Sequence, residues 1–232
     1  MLVKYWMRTD VVTADISDSI HRAASLIKEH EMPLLPILED GVLVGIITDR
    51  DLKRAAPSEA ASLNVHELTY LLSRLQIGDI MSKPPITVAP DYTVDETATV
   101  LLNNKISGAP VVDAQGNIAG IITQQDLFRA LISLSGFEKL GVQFAFQLED
   151  RPGSIKEVTD VIRIYDGKLV SILSSYERAP SGHRHVYIRA FDIDRGKMSE
   201  LMKQLKATGK MLYVVDHGEG KREEFVTTRP EP

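Results

Sequence analysis

Two short motifs, each a threonine followed three positions later by an aspartate, are the residues of this chain best suited to chemistry. They are Thr48 with Asp51 and Thr123 with Asp126. A carboxylate can accept hydrogen bonds from two neighbouring hydroxyl groups, and a threonine hydroxyl can donate to an anionic oxygen. The same spacing also fits a helix N-cap close to a capping box, which forms with or without a ligand. The motifs therefore predict either polar ligand sites or two capped helices.

A second candidate site is the turn at residues 150–154, with the sequence Asp-Arg-Pro-Gly-Ser. Exposed amides at the start of a helix can receive a carboxylate, and Asp150 can pair with an ammonium group. The alternative is purely structural: Asp150 caps the helix, Pro152 occupies its first turn and Gly153 permits a tight entry. Both interpretations stay open at this level.

The sequence contains none of the common catalytic or metal-binding motifs. We find no Walker A loop, no zinc-protease motif, no nucleophile elbow and no calcium loop, and there is no cysteine. His183 and His185 point the same way from a strand, but no third ligand accompanies them, so we predict no metal site. These absences predict a protein that is not an enzyme and requires no cofactor.

The bulk composition limits the classes of partner. The chain has 232 residues, 44% of them hydrophobic, and a formal net charge of -5 without a clustered basic stripe, so nucleic acid is not an expected partner. No apolar run approaches the roughly 18 to 20 residues of a membrane span. We therefore expect a cytoplasmic protein that does not bind a membrane.

The elements that carry the two Thr-Asp motifs belong to an internal repeat. Residues 7–13 match residues 81–87, and both copies end in Gly-Ile-Ile-Thr-x-x-Asp-Leu-x-Arg-Ala, at residues 45–55 and 120–130. Each copy predicts a short strand, an amphipathic helix, two apolar strands joined by a turn, and a last helix that begins near Asp51 or Asp126. Each unit is too small to bury its own face well, so the two copies should share one core.

The rest of the chain follows a different pattern. Apolar residues alternate over 142–148, an amphipathic helix follows the turn at 150–154, and further strands and a helix extend to about residue 215. The predicted order is strand, helix, strand, strand, helix, strand, which is the ferredoxin-like βαββαβ arrangement. Residues 217–232 are expected to form a loose tail.

The repeat resembles the CBS domain, and two copies in tandem resemble a Bateman module. The linker, the following Ile-Gly-Asp-Ile-Met-Ser-Lys segment and the domain order are similar to the acetoin utilization protein AcuB family, whose members carry a C-terminal ACT domain. The resemblance implies an α+β (mixed α/β) fold of two CBS domains and a ferredoxin-like ACT domain. Its expected parts are CBS repeat 1 at 1–56, a helical linker at 57–76, CBS repeat 2 at 77–134, the ACT-like domain at 140–216 and the tail at 217–232.

The CBS resemblance implies an adenine nucleotide, such as AMP, ADP, ATP or a related adenosyl compound, as regulatory ligand in clefts between the repeats. The aspartates would hold the ribose, the threonines and nearby cations the phosphates, and the segments around each proline-containing strand the base. The implied nucleotide-binding residues are Thr48, Asp51, Leu34, Leu35, Pro36, Arg50, Thr123, Asp126, Gly108, Ala109, Pro110 and Lys83. Arg54 is a further candidate, and Gln125 replaces Arg50 in the second repeat, so the clefts should differ in affinity.

The ACT resemblance implies an amino-acid site at Asp150, Arg151, Pro152, Gly153 and Ser154. The predicted function is that of a regulator, with control of acetoin or acetate-type carbon metabolism implied by the AcuB likeness. Expected partners are an adenosyl small molecule, a second copy in a homodimer and a regulated metabolic enzyme. The alternatives are an oligomerisation or scaffold module without a physiological nucleotide, and an amino-acid sensor.

Overall fold

The computed structural model describes residues 1–55 and 75–225. The chain divides into two compact units, Met1–Ala130 and Leu131–Pro232. Most of the predicted linker at 57–76 lies outside the described residues, as does the end of the chain at 226–232.

The first unit contains the two repeats, which share the order of a long helix, two strands and a last helix; the short strand predicted before the long helix forms in the first repeat, whereas Val88 of the second repeat makes an isolated parallel bridge to Val111 instead. A short 3-10 turn at Val3–Tyr5 precedes them. The elements of the first repeat are β1 (Ala14–Asp15), α1 (Ile20–Glu29), β2 (Leu34–Glu39), β3 (Val42–Thr48) and α2 (Asp49–Ala55). Those of the second are α3 (Ile77–Ile80), α4 (Val94–Asn104), β4 (Gly108–Val112), β5 (Ile118–Thr123) and α5 (Gln124–Ser135).

Each repeat builds a small sheet around an antiparallel hairpin. Strand β2 pairs with β3, and β1 adds to β2 in parallel; in the second repeat β4 pairs with β5. The hairpin turn of the first repeat is formed by Asp40 and Gly41, both with positive φ, which is the geometry that Asp-Gly favours in a two-residue turn. Leu34, Leu35 and Ile37 on β2 are almost fully buried, so the strand is part of the core.

The leading segment of each repeat crosses onto the hairpin of the other repeat. Ile46 on β3 forms an antiparallel bridge with Ser82, and Ile121 on β5 forms one with Arg8. Glycines make the crossing possible: a Cβ on Gly120 would lie 2.7 Å from the carbonyl oxygen of Arg8. This exchange brings residues of both repeats together at the ends of β3 and β5.

The second unit is a five-stranded antiparallel sheet with two long helices. A 3-10 turn at Phe137–Lys139 precedes the sheet and another at Arg195–Lys197 precedes the second helix. The main elements are β6 (Val142–Glu149), α6 (Ser154–Ile164), β7 (Lys168–Ser175), β8 (His183–Phe191), α7 (Met198–Thr208), β9 (Lys210–Asp216) and β10 (Lys221–Glu224). The strands are arranged in the order β10-β9-β6-β8-β7. Phe144, Phe146, Ile162, Ile188 and Leu201 are fully buried between the sheet and the helices.

One sequence prediction is wrong in this unit. The tail was expected to be loose from residue 217, but β10 pairs with β9 over four residues, from Lys221 with Asp216 to Glu224 with Tyr213. All four residues of β10 are exposed and charged, so no alternation of apolar residues marks the strand. Backbone pairing with the edge of β9 forms it instead.

Candidate functional site

The Thr48-Asp51 motif forms a reciprocal cap at the start of α2. The backbone N–H and the hydroxyl of Thr48 donate to Oδ2 of Asp51 at 2.9 and 2.6 Å, and the N–H of Asp51 is 3.4 Å from the hydroxyl oxygen of Thr48. The structural interpretation of this motif is therefore confirmed. It occupies one carboxylate oxygen only, because Oδ1 of Asp51 accepts a hydrogen bond from the Ser82 hydroxyl at 3.2 Å.

The Thr123-Asp126 motif repeats this geometry at the start of α5. The corresponding distances are 2.9, 2.6 and 3.3 Å. The remaining oxygen of Asp126 has a different partner, since it accepts from the Arg129 guanidinium at 3.3 Å. The cap hydrogen bonds are thus the same in both motifs. The group that donates to the second carboxylate oxygen is the neutral Ser82 hydroxyl at Asp51 and the cationic Arg129 guanidinium at Asp126.

A cavity of about 320 Å³ opens beside Asp51. This volume lies within the roughly 300 to 1,000 Å³ range of small-molecule sites. Three segments line it: Thr48, Asp49, Arg50, Asp51 and Arg54 from the end of β3 and α2; Ser82 and residues 84–86 from the crossing segment; and residues 105–108 from the second repeat, with Pro33 and Ile46 completing the wall. The cavity is therefore built by both repeats.

The cavity carries more cations than carboxylates. Arg50, Arg54 and Lys105 line it, and none of them forms an ion pair within the described residues. Of its two carboxylates, Asp49 pairs with Lys53 and Asp51 caps α2. Three cations around one opening, with no carboxylate partner among the described residues, favour an anionic ligand.

The structure places the sequence-predicted residues in three groups. Thr48, Arg50, Asp51 and Gly108 line the cavity. Lys83 lies between the lining residues Ser82 and Pro84 but is not itself one of them, and Thr123 and Asp126 cap the other repeat. The remaining five positions, on the proline-containing strands, are buried, namely Leu34, Leu35, Pro36, Ala109 and Pro110.

Sequence reasoning missed Lys105, Ser82 and Ile106. Nothing in the local pattern distinguishes Lys105 from other surface lysines, because its place in the site follows from the docking of one repeat on the other.

The side chains of the 150–154 turn have partners within the second unit. Oδ1 of Asp150 is 3.3 Å from the Tyr176 hydroxyl and 3.7 Å from Nε of Arg184. Arg151 makes two hydrogen bonds of 2.8 Å to the Glu157 carboxylate, and Gly153 precedes α6 with φ +89°. The expected roles of Asp150 and Pro152 are wrong, because α6 begins at Ser154 with Gly153 as its N-cap and no side-chain cap, so Pro152 lies before the first turn; only the tight entry at Gly153 is confirmed.

In the part of the chain that the structure describes, the two histidines of β8 do not belong to a group of possible metal ligands. Within the described ranges, no cluster of three or more His, Cys, Asp or Glu side chains has the geometry to hold a metal ion. His183 instead contacts the carbonyl oxygen of Ser181 through Nδ1 at 3.1 Å. Among the described helices, none is long and apolar enough to cross a membrane.

His217 in the second unit gives a pH-dependent prediction. Its Nε2 is buried and has no hydrogen-bond partner within the described residues, and its ring packs edge-on against Phe137 with 5.1 Å between centroids. Burial lowers the pKa of His217, and the charges of Arg189 and Arg222 lower it further, whereas the charge of Asp216 acts in the opposite direction. The folded unit therefore disfavours the charged imidazole. The contribution of His217 to stability is fully present above the unfolded pKa of about 6.5 and is lost as the pH falls through the lower folded pKa.

We expect the melting temperature of the second unit to fall more steeply between pH 7.5 and 5.5 in the wild type than in His217→Gln. Differential scanning calorimetry at intermediate pH values measures both slopes. The variant controls for the other histidines, which titrate in both proteins. Equal slopes would show that His217 does not contribute.

Comparison with known proteins matches both repeats to one family. The CBS domain model matches residues 3–58 and 77–133. A CBS domain-containing protein of Dictyostelium discoideum is 30% identical over 135 residues, which cover 58% of this chain and 93% of that protein. An inosine-5'-monophosphate dehydrogenase of Korarchaeum cryptofilum is 37% identical over 119 residues, covering 51% of this chain but 22% of the enzyme.

Among solved structures, CBSX2 of Arabidopsis thaliana in complex with AMP is 30% identical to the chain, with a TM-score of 0.45. The match covers 56% of this chain and 96% of that one. The match to the dehydrogenase is confined to a part of that enzyme, whereas the Dictyostelium protein is matched over almost its whole length. Because the family model matches both repeats and the Dictyostelium CBS domain-containing protein is 30% identical and covered over 93% of its length, the chain belongs to the CBS-domain family.

Proposed function

We propose that this protein is a non-catalytic sensor that binds an adenine nucleotide, or a related adenosyl compound, in the cavity beside Asp51. The observation that carries the proposal is one opening of about 320 Å³ lined by a buried carboxylate and three cations that form no ion pair in the described part of the chain. These are the groups that a sugar hydroxyl pair and a phosphate need. The choice of adenine follows from the CBS family to which the chain belongs.

Asp51 is suited to the ribose because its two carboxylate oxygens have different hydrogen-bond partners. Oδ2 accepts both hydrogen bonds of the Thr48 cap, while Oδ1 accepts one from the Ser82 hydroxyl and no other within the described residues. A carboxylate oxygen can accept a second hydrogen bond, and a serine hydroxyl can rotate to another acceptor. Ribose hydroxyls can therefore bind at Oδ1 without breaking the cap.

The apolar part of the cavity suits a purine base. Ile46, Pro85, Ile86 and Ile106 line it beside the polar groups, and they come from both repeats. A base held there would be covered by apolar side chains on the side away from the cations. Binding would then join the two repeats, and a ligand can shift their arrangement only by as much as it prefers one arrangement over another.

The second unit has a proposed role of its own. We propose that it is an ACT-like domain, on the βαββαβ order of β6 to β9, and that it serves in homodimerisation. An amino-acid sensor is the second candidate for this unit, supported by a cavity of about 310 Å³ lined by Arg151 and Ser154. The partnered state of Asp150 and Arg151 favours the structural role.

On the likeness of the linker and domain order to the AcuB family, we further propose that the partner is an enzyme of acetoin or acetate-type carbon metabolism. The rival proposal for the whole chain is a scaffold whose Thr-Asp motifs only cap helices. It is supported by the caps themselves, which account for both threonines and for one oxygen of each aspartate.

A thermal-shift titration tests the sensor against the scaffold. AMP, ADP, ATP, adenosine and S-adenosylmethionine are added to the full chain, with GMP as the control for the base. A ligand at 100 times its dissociation constant raises the unfolding free energy by about 2.7 kcal/mol, so we expect the melting temperature of the first unit to rise with an adenosyl compound and not with GMP. A flat response to every adenosyl compound at millimolar concentration would contradict the sensor and favour the scaffold.

A further inference from the structure

We infer that the two clefts of the repeat pair select ligands by charge: the first takes an adenosine compound with a 5'-phosphate, and the second rejects it. The inference rests on the proposed function, since it names which ligand each cleft admits. It depends on three positions, occupied by Arg50, Arg54 and Lys105 in the first cleft and by Gln125, Arg129 and Glu31 in the second.

Lys105 and Glu31 occupy equivalent positions in the structure as well as in the sequence repeat. Lys105 and Glu31 each follow the first long helix of their repeat, and both have a left-handed backbone, with φ 54° and 48°. Left-handed residues other than glycine are uncommon, so the shared conformation marks the two sites as counterparts. Lys105 of the second repeat lines the cavity of the Thr48-Asp51 motif, and from the equivalence of the repeats we infer that Glu31 of the first repeat lies beside Thr123 and Asp126.

The first cleft is lined by cations that can bind a phosphate. Its three cations come from both repeats, Arg50 and Arg54 from α2 and Lys105 from the end of α4. All three are exposed and lack an ion-pair partner in the described residues. A phosphate has three acceptor oxygens, so one group can bind Lys105 and an arginine together and so link the repeats.

The second cleft has the opposite balance. Glu31 replaces Lys105, the neutral Gln125 replaces Arg50, and Arg129 is already bound to Asp126 at 3.3 Å. The crossing segment adds Arg8 in place of Ser82 and Asp10 in place of Pro84. This cleft therefore has two cations, Arg8 and Arg129, and three carboxylates, Asp10, Glu31 and Asp126. This balance disfavours a phosphate and tolerates a neutral or cationic 5'-group.

Exchanging the charges tests the inference by isothermal titration of the full chain with AMP and with adenosine. The wild type is expected to bind one AMP per chain. The double variant Arg50→Gln/Lys105→Glu, which copies the second cleft into the first, should weaken AMP binding at least about 10-fold and change adenosine binding by less than about 2-fold. The reciprocal variant Glu31→Lys/Gln125→Arg should create a second AMP-binding event.

The charge exchange is compatible with the fold, because Glu31 already adopts the backbone conformation that glutamate would need at position 105. Lys28→Glu on α1 makes the same lysine-to-glutamate change as Lys105→Glu at an exposed position outside the cavity and should leave both affinities unchanged. Two equal AMP sites in the wild type, or parallel changes of AMP and adenosine affinity in the double variant, would overturn the charge division while leaving the sensor intact. A wild type that binds neither AMP nor adenosine would overturn this inference, whereas only a thermal-shift panel that is flat for every adenosyl compound would overturn the proposed function.

Discussion

Replacing Asp51 with asparagine is expected to weaken AMP binding by about 10- to 100-fold while changing the free energy of unfolding by less than about 1 kcal/mol. The asparagine carbonyl can take over the two cap hydrogen bonds that Oδ2 accepts from Thr48. Its amide nitrogen then replaces Oδ1, which faces the Ser82 hydroxyl, and it cannot accept a hydrogen bond from a ribose. Titration calorimetry and chemical denaturation measure the two effects separately.

Asp126→Asn is the matched control, because the same cap exists in the other repeat. It should leave AMP binding in the first cleft unchanged. Asp51→Ala removes the cap as well, so it should lose about 1 kcal/mol of stability in addition to the affinity. If Asp51→Asn bound AMP as tightly as the wild type, Asp51 would be a capping residue only, and the ribose assignment would be wrong.

The repeat and its hairpins could be predicted from the sequence because they depend on local signals. Asp40 and Gly41 specify a two-residue turn, and the apolar runs on either side become β2 and β3 as expected. The caps could be predicted for the same reason, since Thr48 and Asp51 interact within one turn of chain. Contacts between residues this close in sequence leave few alternatives.

The composition of the cleft could not be predicted in the same way. Lys105 and Thr48 face one cavity only because each repeat's leading segment crosses onto the other repeat's hairpin. A sequence motif shows what one repeat contains but not which repeat completes its site. Strand β10 escaped prediction for another physical reason, because backbone pairing along an edge leaves no hydrophobic alternation at Lys221–Glu224.

The same distinction applies to the choice between cap and ligand site. In the sequence, the cap and the ligand site depend on the same two residues, Thr48 and Asp51. The structure distinguishes the two carboxylate oxygens of Asp51: Oδ2 accepts the cap hydrogen bonds, and Oδ1 accepts a hydrogen bond from Ser82. A residue can therefore stabilise a helix and remain available to a ligand. Mutations that remove the whole carboxylate combine the two effects, which is why the asparagine variant is the more informative one.

Phe144→Ala is expected to lower the stability of the second unit by about 3 to 5 kcal/mol, the largest effect of any substitution considered. Phe144 lies at the centre of β6, is fully buried, and packs within the core formed by the sheet, α6 and α7. Truncation removes its apolar contacts and leaves a cavity that close-packed neighbours fill only in part. Calorimetry of the full chain should show the transition of Leu131–Pro232 shifted to lower temperature.

Phe128→Ala is the matched control, because the Phe128 side chain on α5 is 63% exposed and its truncation should change stability by less than about 0.5 kcal/mol. AMP added to Phe144→Ala should still raise the transition of Met1–Ala130, since the cavity beside Asp51 is lined by residues of that unit alone. Loss of the AMP response in Phe144→Ala would mean that the first unit does not hold its ligand-binding structure without a folded second unit. A retained response would locate nucleotide sensing in the repeat pair and leave the second unit with a separate role.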